Sequence, residues 1–283
     1  MTIKNDLLWQ YKSGGLIQKL IFWNIGIFVF FSIIEVILTL SKVSFPVNDY
    51  LALSSNPVEL LQKPWVLFSY FFMHASVLHL IFNMITLHFS GQLFRTFFTE
   101  KQVLGVYILG GLFAGCIYLI SYFVFHHNAL LVGASGAIMA VLIAATTYSP
   151  FYLLRLPLIG IVKLWHIAFF ILFLDFIQLP LQNTGGHIAH LGGALFGFIF
   201  VKTLKNGKDL TLIVTNFLNF ISNLGTKKTK TPFQKIHRNK NPKPFSENNV
   251  AQKQIDEILD KISKSGYDSL TKQEKEFLFK AGK

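Results

Sequence analysis

The 283-residue sequence is poor in charged residues and nearly free of cysteine. Only 14% of its residues are Asp, Glu, Lys or Arg, whereas 52% are hydrophobic, including 30 Phe. A soluble domain carries about 25% charged residues, so this composition argues against a soluble protein and favours a membrane protein. The single cysteine, Cys116, lies in an apolar run. One cysteine cannot form an internal disulfide.

Acidic residues are scarce in the apolar part of the chain. Between Val66 and Val201 there are two, Glu100 and Asp175, against eight histidines. A serine–histidine–aspartate triad therefore has almost no candidate for its acid, whereas a serine–histidine pair has every group it requires. We interpret Asp175, near the outer end of a predicted helix, as a residue that lines a wet cavity or caps the helix. Orientation of a histidine is the less favoured alternative.

Basic residues are concentrated in the last third of the chain. The net charge is +12, and much of the excess follows Lys202. A basic segment beside membrane spans more often faces the cytoplasm and anionic lipid than nucleic acid. We therefore expect the lipid bilayer to be a partner, and we expect no nucleic acid.

Six apolar runs are candidates for membrane-spanning helices, each of which needs about 20 apolar residues. They are Leu16–Leu40, Val66–Leu93, Val103–Phe125, Gly133–Tyr148, Val162–Leu179 and Gly186–Val201. In the second run we expect the spanning helix itself to begin near Ser76. The first run has a core too long for a signal peptide, so we interpret it as a retained anchor.

Lysines and arginines predict the orientation of these spans. They precede the first span, lie in the loops after the second and fourth, and follow the sixth, while the opposite loops hold few. Both termini should therefore be cytoplasmic, and the fourth and sixth spans should begin on the outer side. We expect a multi-pass protein of a bacterial inner or plasma membrane.

The string GASGA opens the fourth run and holds one serine, Ser135. The first turn of a helix presents unpaired N–H groups and a partial positive charge, which suits an oxyanion beside a nucleophilic serine. Its small neighbours, Gly133 and Gly136, leave room for a substrate backbone. Small residues also let helices pack closely, and the string by itself favours packing over catalysis.

The sixth run carries His190, Gly193 and Gly197 on one helix face. The two glycines form a GxxxG pattern, which allows close contact with a neighbouring helix; if that helix is the fourth run, His190 lies beside Ser135. His187 and His190 also match HxxH. A zinc protease would require a third ligand and a carboxylate base, and no Glu follows either histidine, so we predict no metal and no cofactor.

His79 and Asn83 in the second run are four residues apart and share a helix face. Both side chains can donate a hydrogen bond to a developing oxyanion without carrying a charge, which suits a site of low dielectric constant. The alternative is a polar pair that holds two helices together.

Together these motifs resemble the rhomboid family of intramembrane serine proteases. The family pattern is H-x4-H-x3-N in the second span, G-x-S-G at the head of the fourth and A-H-x2-G-x3-G in the sixth. The matching residues are His74, His79, Asn83, Gly133, Ser135, Gly136, Ala189, His190, Gly193 and Gly197. Their order and spacing agree over roughly residues 60–205, and the three motifs in order are highly specific.

The resemblance implies that Ser135 is the nucleophile and His190 the general base and acid. His79 and Asn83 would form an oxyanion hole with the backbone N–H of Ser135. The supporting residues that it implies are His74, Gly133 and Gly136. It also implies a six-helix bundle with a water-accessible cavity open to the outside, bordered by the fifth span and the first loop where the substrate approaches.

Two positions depart from the family pattern. Arg95 stands where the family often has a glutamate, which puts local packing in question more than activity. Met139 stands where the family often has an aromatic residue that stacks on the histidine. A methionine can still pack on an imidazole, although it holds the ring less firmly.

Five segments are predicted along the chain. They are a cytoplasmic N-terminus (1–15), a six-span rhomboid-like protease domain (16–205), an interfacial amphipathic helix (206–224), a basic flexible linker (225–247) and a helical hairpin (248–283). Thr271 and Glu274 match a capping box for the second helix of the hairpin. Two short helices bury little core, so we expect this cytoplasmic tail to dock on a protein partner or on the protease domain.

The predicted function is cleavage of transmembrane segments of membrane proteins by a Ser135–His190 dyad. The alternative is a rhomboid-like binder or chaperone of membrane proteins without proteolysis, which would be indicated by loss of either residue. A transporter with a histidine proton relay would show polar residues through the full depth of the bundle and an internal repeat, and the sequence shows neither.

Overall fold

The computed structural model describes residues 2–125, 129–157, 159–181, 183–224 and 247–281. Its α-helices are, in chain order, α1 (Ile3–Ser13), α2 (Gly15–Leu40), α3 (Val47–Leu51), α4 (Pro57–Gln62), α5 (Val66–Ser69), α6 (Val77–Arg95), α7 (Glu100–Phe125), α8 (Ser135–Tyr148), α9 (Leu164–Gln178), α10 (Thr184–Lys205), α11 (Leu212–Leu224), α12 (Glu247–Ser265) and α13 (Lys272–Ala281). Two 3₁₀ turns, Tyr70–Phe72 and Tyr267–Ser269, complete the helical elements. The predominance of helix confirms the predicted fold class.

Two small antiparallel strand pairs, which the sequence analysis did not predict, lie in connecting segments. β1 (Leu53–Ser54) pairs with β2 (Leu130–Leu131), and this pair joins the long loop after α2 to the segment before α8. β3 (Leu153–Leu156) and β4 (Gly160–Lys163) form a hairpin between α8 and α9. Strands of two to four residues are too short to produce a readable alternation in the sequence.

Four described helices, α2, α6, α7 and α10, are long and apolar enough to cross a membrane, and α8, α9 and α11 are shorter apolar helices. The chain is a multi-pass integral membrane protein, as its composition predicts. The backbone N–H of His79 donates to Ser76 Oγ at 3.2 Å, which caps α6 where the sequence predicts the second span to begin. The count of six spans remains a prediction.

The helix α8 lies at the centre of the bundle. It packs against α6, α7 and α10, and every residue from Gly136 to Thr146 is buried. Its 14 residues extend about 21 Å, roughly two thirds of the thickness of a hydrocarbon core. A helix of this length is shorter than the hydrocarbon core, and Ser135 is its first residue.

Glycines bring α8 and α10 into backbone contact. A Cβ atom at Gly193 would overlap the carbonyl oxygen of Gly136, and one at Gly197 would overlap the carbonyl oxygen of Ala140. Any residue other than glycine at these two positions would push the helices apart. The fourth run is thus the neighbour that the GxxxG pattern of the sixth run predicts.

The chain divides into two compact units, Met1–Lys227 and Lys228–Lys283. In the second unit the predicted capping box is present, because the backbone N–H of Thr271 donates to Glu274 Oε2 at 2.7 Å and that of Glu274 donates to Thr271 Oγ1 at 3.3 Å. Lys261 on α12 donates to the same carboxylate at 2.9 Å. The predicted linker, residues 225–247, lies outside the described residues except for Glu247.

Candidate active site

A cavity of about 480 Å³ opens beside the first turn of α8. Side chains from α6, α8, α9 and α10 line it, and most of its lining is apolar. Its polar lining residues are His79, Asn83, Thr86, Ser135, Asp175, Gln178, Asn183 and His190. The four residues to which the motifs assign chemistry therefore line one cavity, although up to 111 positions separate them in the sequence.

Ser135 is held at the N-terminal end of α8 by an unusual turn. Gly133, two residues earlier, has φ of +125°, a conformation that favours glycine strongly. A Cβ atom at Gly133 would lie 2.9 Å from Nε2 of His79 and 3.6 Å from Oγ of Ser135. Glycine is therefore required both for the backbone conformation and for the approach of the His79 ring to the serine.

The orientation of His79 leaves one ring nitrogen available to the cavity. The backbone N–H of Ala75 donates to Nδ1 of His79 at 3.4 Å. Because Nδ1 accepts this bond, a neutral imidazole carries its proton on Nε2. Nε2 and the adjacent Cε1 are the ring atoms nearest Gly133, so this edge of the ring, with its N–H donor, lies on the side of Ser135.

Asn83 is buried one helical turn after His79. Its Nδ2 donates to the carbonyl oxygen of His79 at 3.1 Å, which fixes the side chain against its own helix. An amide nitrogen has two N–H groups, so one remains for another acceptor. Because Asn83 lines the same cavity as Ser135, that second N–H can serve an oxyanion formed there.

The contact between α8 and α10 brings His190 into the cavity, one turn before Gly193. Its side chain is 23% exposed, and its Nδ1 lies 2.8 Å from Oδ1 of Asp175. Nδ1 of His187 lies at the same distance from the same oxygen. One buried carboxylate on α9 thus joins two histidines on α10.

The structure confirms one part of the sequence interpretation of Asp175 and adds to it. Asp175 lines the cavity, as expected, and it is also buried and hydrogen-bonded to His190, which was the less favoured alternative. The sequence offered one signal for this pairing. Asp175 is one of two acids in the apolar region, and a buried carboxylate requires partners.

His74 lies behind the oxyanion-hole candidates rather than in the cavity. Its ring centroid is 5.3 Å from that of His79 and 6.4 Å from that of Phe28, both in edge-to-face geometry. It is 8% exposed, and neither ring nitrogen has a hydrogen-bond partner among the described residues. His74 therefore packs against the ring of His79 and does not reach Ser135.

Asp175, His187 and His190 are also the one group among the described residues whose side chains could hold a metal ion, with ligand atoms within 4.8 Å of one another. Both histidine nitrogens, however, approach a single carboxylate oxygen at hydrogen-bond distance. Metal ligands instead surround a point about 2 Å from each donor atom. The geometry fits a hydrogen-bonded set better than a metal site.

The two departures from the rhomboid pattern have different surroundings. Arg95 at the end of α6 pairs with Glu100 at the start of α7 at 3.1 Å, so a charge pair bridges the turn between these helices. Met139 is buried and lines the cavity with His190. It stands at the sequence position where the family often has an aromatic residue.

A family profile described as "Rhomboid domain" matches residues 61–206, about half of the chain. The protein belongs to the rhomboid family. The matched range contains every residue that lines the cavity. A second profile, for a family of unknown function, matches residues 245–280 and thus covers α12 and all but the last residue of α13.

One similar protein is the "Presenilin-associated rhomboid-like protein A, mitochondrial" of Danio rerio. The two are 31% identical over 152 residues, which cover 52% of this chain and 39% of the relative. This rhomboid therefore spans about two fifths of the length of that relative.

Proposed function

We propose that this rhomboid is an intramembrane serine endopeptidase that cleaves membrane proteins within or beside a transmembrane segment. The observation that carries the proposal is the convergence of Ser135, His190, His79 and Asn83 on one cavity, from three different helices. The three motifs would each be explained by helix packing if their polar side chains pointed in different directions. Their common cavity supports a shared chemical role.

In the proposed reaction, Ser135 Oγ attacks the carbonyl carbon of the scissile peptide, and Nε2 of His190 takes the hydroxyl proton. The tetrahedral intermediate then expels the amine, to which His190 returns that proton. Water hydrolyses the resulting acyl ester by the same steps, with His190 again as base and then acid. The reaction releases two peptide fragments and regenerates Ser135.

The oxyanion of that intermediate requires hydrogen-bond donors already in place. His79 would supply Nε2–H, Asn83 its second amide N–H, and Ser135 its own backbone N–H at the start of α8. The first N–H groups of a helix have no partner within the helix, and they carry partial positive charge. Gly133 leaves room beside Ser135 and the ring of His79, whereas Gly136 lets α8 pack closely against Ala114 and Ala189. His74 supports the ring of His79.

The proposed protease domain covers residues 16–205, with six spans and both termini in the cytoplasm of a bacterial inner or plasma membrane. Among its helices, α9 has only three buried residues, Leu164, Ala168 and Asp175. Large apolar side chains such as Phe169, Phe170 and Phe176 cover its outer side and are at least 60% exposed. This face would border lipid and the path of a substrate helix.

The segment 206–224, which contains α11, would lie at the membrane interface. The tail of residues 248–283 would be a docking element for a protein partner or for the protease domain, joined by a flexible linker. Leu259 and Phe279 are 49% and 70% exposed and provide apolar surface for such a contact.

The test is cleavage of a single-span substrate by the purified full chain in liposomes. Wild type should cleave it, and Ser135→Ala and His190→Ala should not. Ser90→Ala is the matched control, because Ser90 is a buried serine in α6 that donates to its own helix at Thr86. Binding of the substrate by wild type without cleavage would favour the alternative, a rhomboid-like binder or chaperone.

A further inference from the structure

We propose that Asp175 is a positioning residue for His190, so that the site works as a Ser135–His190–Asp175 triad rather than as an isolated dyad. The effect of Asp175 on catalysis rests on the proposed function. The hydrogen bond between Asp175 on α9 and His190 on α10 is an observation of the structure. Asp175 is assigned no contact with substrate; it acts through His190.

The hydrogen bond between these two residues selects one form of the imidazole. An ionised carboxylate has only acceptor atoms, so the 2.8 Å contact requires Nδ1 of His190 to donate to Oδ1 of Asp175. A neutral imidazole has one N–H group. With the proton on Nδ1, Nε2 keeps its lone pair and can accept the proton of Ser135.

The charge of Asp175 also matches the needs of the reaction. When His190 takes the serine proton it becomes an imidazolium in a largely apolar cavity, where an unpaired charge is costly. A carboxylate already at 2.8 Å from the ring offsets that cost without any rearrangement. The carboxylate of Asp175 therefore stabilises the imidazolium of His190 during the reaction.

A purely structural role explains the position of Asp175 less well. Asp175 lies in the last turn of α9, which ends at Gln178, and a negative charge at a helix C-terminus is opposed by the helix dipole. Its carboxylate accepts hydrogen bonds from α10 and caps no helix. Its Oδ2 is buried and has no hydrogen-bond partner among the described residues. Two imidazoles are therefore what hold this charge in place.

His187 provides an internal comparison because its Nδ1 contacts the same Oδ1 at the same 2.8 Å. Unlike His190, it does not line the cavity. If Asp175 only tied α9 to α10, loss of either histidine contact would have similar consequences. If it positions the base, Asp175 and His187 variants should differ in catalysis while they share any loss of stability.

The experiment compares Asp175→Asn with His187→Gln in the full chain, reconstituted in liposomes with a single-span substrate. Asp175→Asn should lower kcat by about 10²- to 10⁴-fold, with KM nearly unchanged; the upper value is the loss that follows replacement of the orienting aspartate in other serine proteases. His187→Gln should keep kcat within about threefold of wild type, a change near 0.6 kcal/mol in activation free energy. Thermal unfolding of both variants reports whether they fold.

A second variant keeps the test decisive if Asp175→Asn does not fold. Asp175→Ala leaves a space for a small carboxylate, so added formate should restore part of its kcat. Formamide, which is similar in size but uncharged, should not. Restoration by both compounds or by neither, in a variant that is folded, would contradict a role for the carboxylate charge.

A spectroscopic readout separates failure of this inference from failure of the proposed function. In the Ser135→Ala background, ¹⁵N NMR of His190 should show the proton on Nδ1 with Asp175 present and a shift toward Nε2 in Asp175→Asn. This NMR signal does not require protease activity. A wild-type protein that cleaves no substrate would contradict the proposed function, and the tautomer of His190 would still show whether Asp175 orients the ring.

Two outcomes would overturn the inference. One is a folded Asp175→Asn protein with wild-type kcat and an unchanged His190 tautomer. The other is activity that a chelator abolishes and zinc restores, with His187→Gln as inactive as Asp175→Asn, because that pattern identifies a metal site formed by Asp175, His187 and His190.

Discussion

The two neighbours of α10 contact it in opposite ways. Toward α8 the contact is backbone on backbone, through Gly193 and Gly197. Toward α9 it includes a buried carboxylate that bonds two imidazoles at 2.8 Å. Van der Waals packing thus sets where His190 lies, while electrostatics sets how its ring is protonated. In the proposed mechanism His190 needs both contacts, and different substitutions should remove them separately.

The largest effect should come from the two residues that the α8 contact brings together. Ser135→Ala and His190→Ala should each lower kcat by about 10⁶-fold, because nucleophile and base act as one unit. The double variant should be no slower than either single variant. Additive losses, measured by single-turnover cleavage in liposomes, would contradict a Ser–His unit.

Removal of one oxyanion donor should have a smaller effect that does not depend on α10. Asn83→Ala should lower kcat by about 100- to 1000-fold with KM little changed, because the oxyanion exists only after attack. The melting temperature should stay close to wild type. A less stable protein with full kcat per folded molecule would assign Asn83 to helix packing instead.

A substitution at Gly193 tests the close contact between α8 and α10. Gly193→Ala should destabilise the protein by about 1–3 kcal/mol, because its methyl group overlaps the carbonyl of Gly136. Activity should fall with it as His190 moves away from Ser135. Thermal unfolding and kcat measure the two effects.

Gly26→Ala is the matched control for Gly193→Ala. Gly26 lies inside α2 with no atom within 4 Å of an added Cβ. Alanine favours helix over glycine by about 1 kcal/mol, so this variant should be as stable as wild type or more stable. Equal destabilisation of the two variants would show that the α8–α10 contact has no special sensitivity.

The smallest effect concerns Glu274, a partly exposed carboxylate that contrasts with buried Asp175. The backbone N–H of Thr271 and the ammonium of Lys261 lower the pKa of Glu274 to about 2. A lowered pKa means that the stabilising contribution is complete above the ordinary pKa of about 4.5 and is lost as pH falls toward 2. The helical NMR signals of α13 should therefore weaken over this range.

Glu274→Gln should remove that pH dependence, whereas Glu276→Gln should preserve it. Glu276 pairs with Lys280, and both side chains are about 70% exposed or more. Exposed pairs of this kind contribute little to stability. An α13 signal that responds identically in both variants would contradict the capping role of Glu274.

Periodic patterns in the sequence predict the α8–α10 contact but not the α9–α10 contact. GxxxG repeats at helical spacing, so a close helix neighbour for Gly193 and Gly197 follows from the sequence itself. The hydrogen bond of Asp175 to His190 depends on the rotation of α9 about its axis and on its depth. The sequence of a mostly apolar helix has no periodic pattern that predicts its rotation or its depth. Its hydropathy is similar on every side, and the single acid is the only marker.

The same distinction explains the rest of the site. Ser135, His79, Asn83 and His190 could be proposed from motif spacing because each motif lies within one helix. The orientation of His79 could not, because it depends on a 3.4 Å hydrogen bond from the loop residue Ala75. The strand pairs near β1 and β3 were missed because short strands form through contacts that local sequence does not record.

The most direct test of the account is covalent labelling of the full chain by a fluorophosphonate, followed by mass spectrometry of the modified peptide. A serine activated by a histidine base reacts with this probe, whereas an ordinary buried serine does not. We predict one adduct, on Ser135, which is absent in His190→Ala and slowed in Asp175→Asn. A wild-type protein that remains unlabelled at Ser135, or a His190→Ala variant labelled at the wild-type rate, would contradict the account.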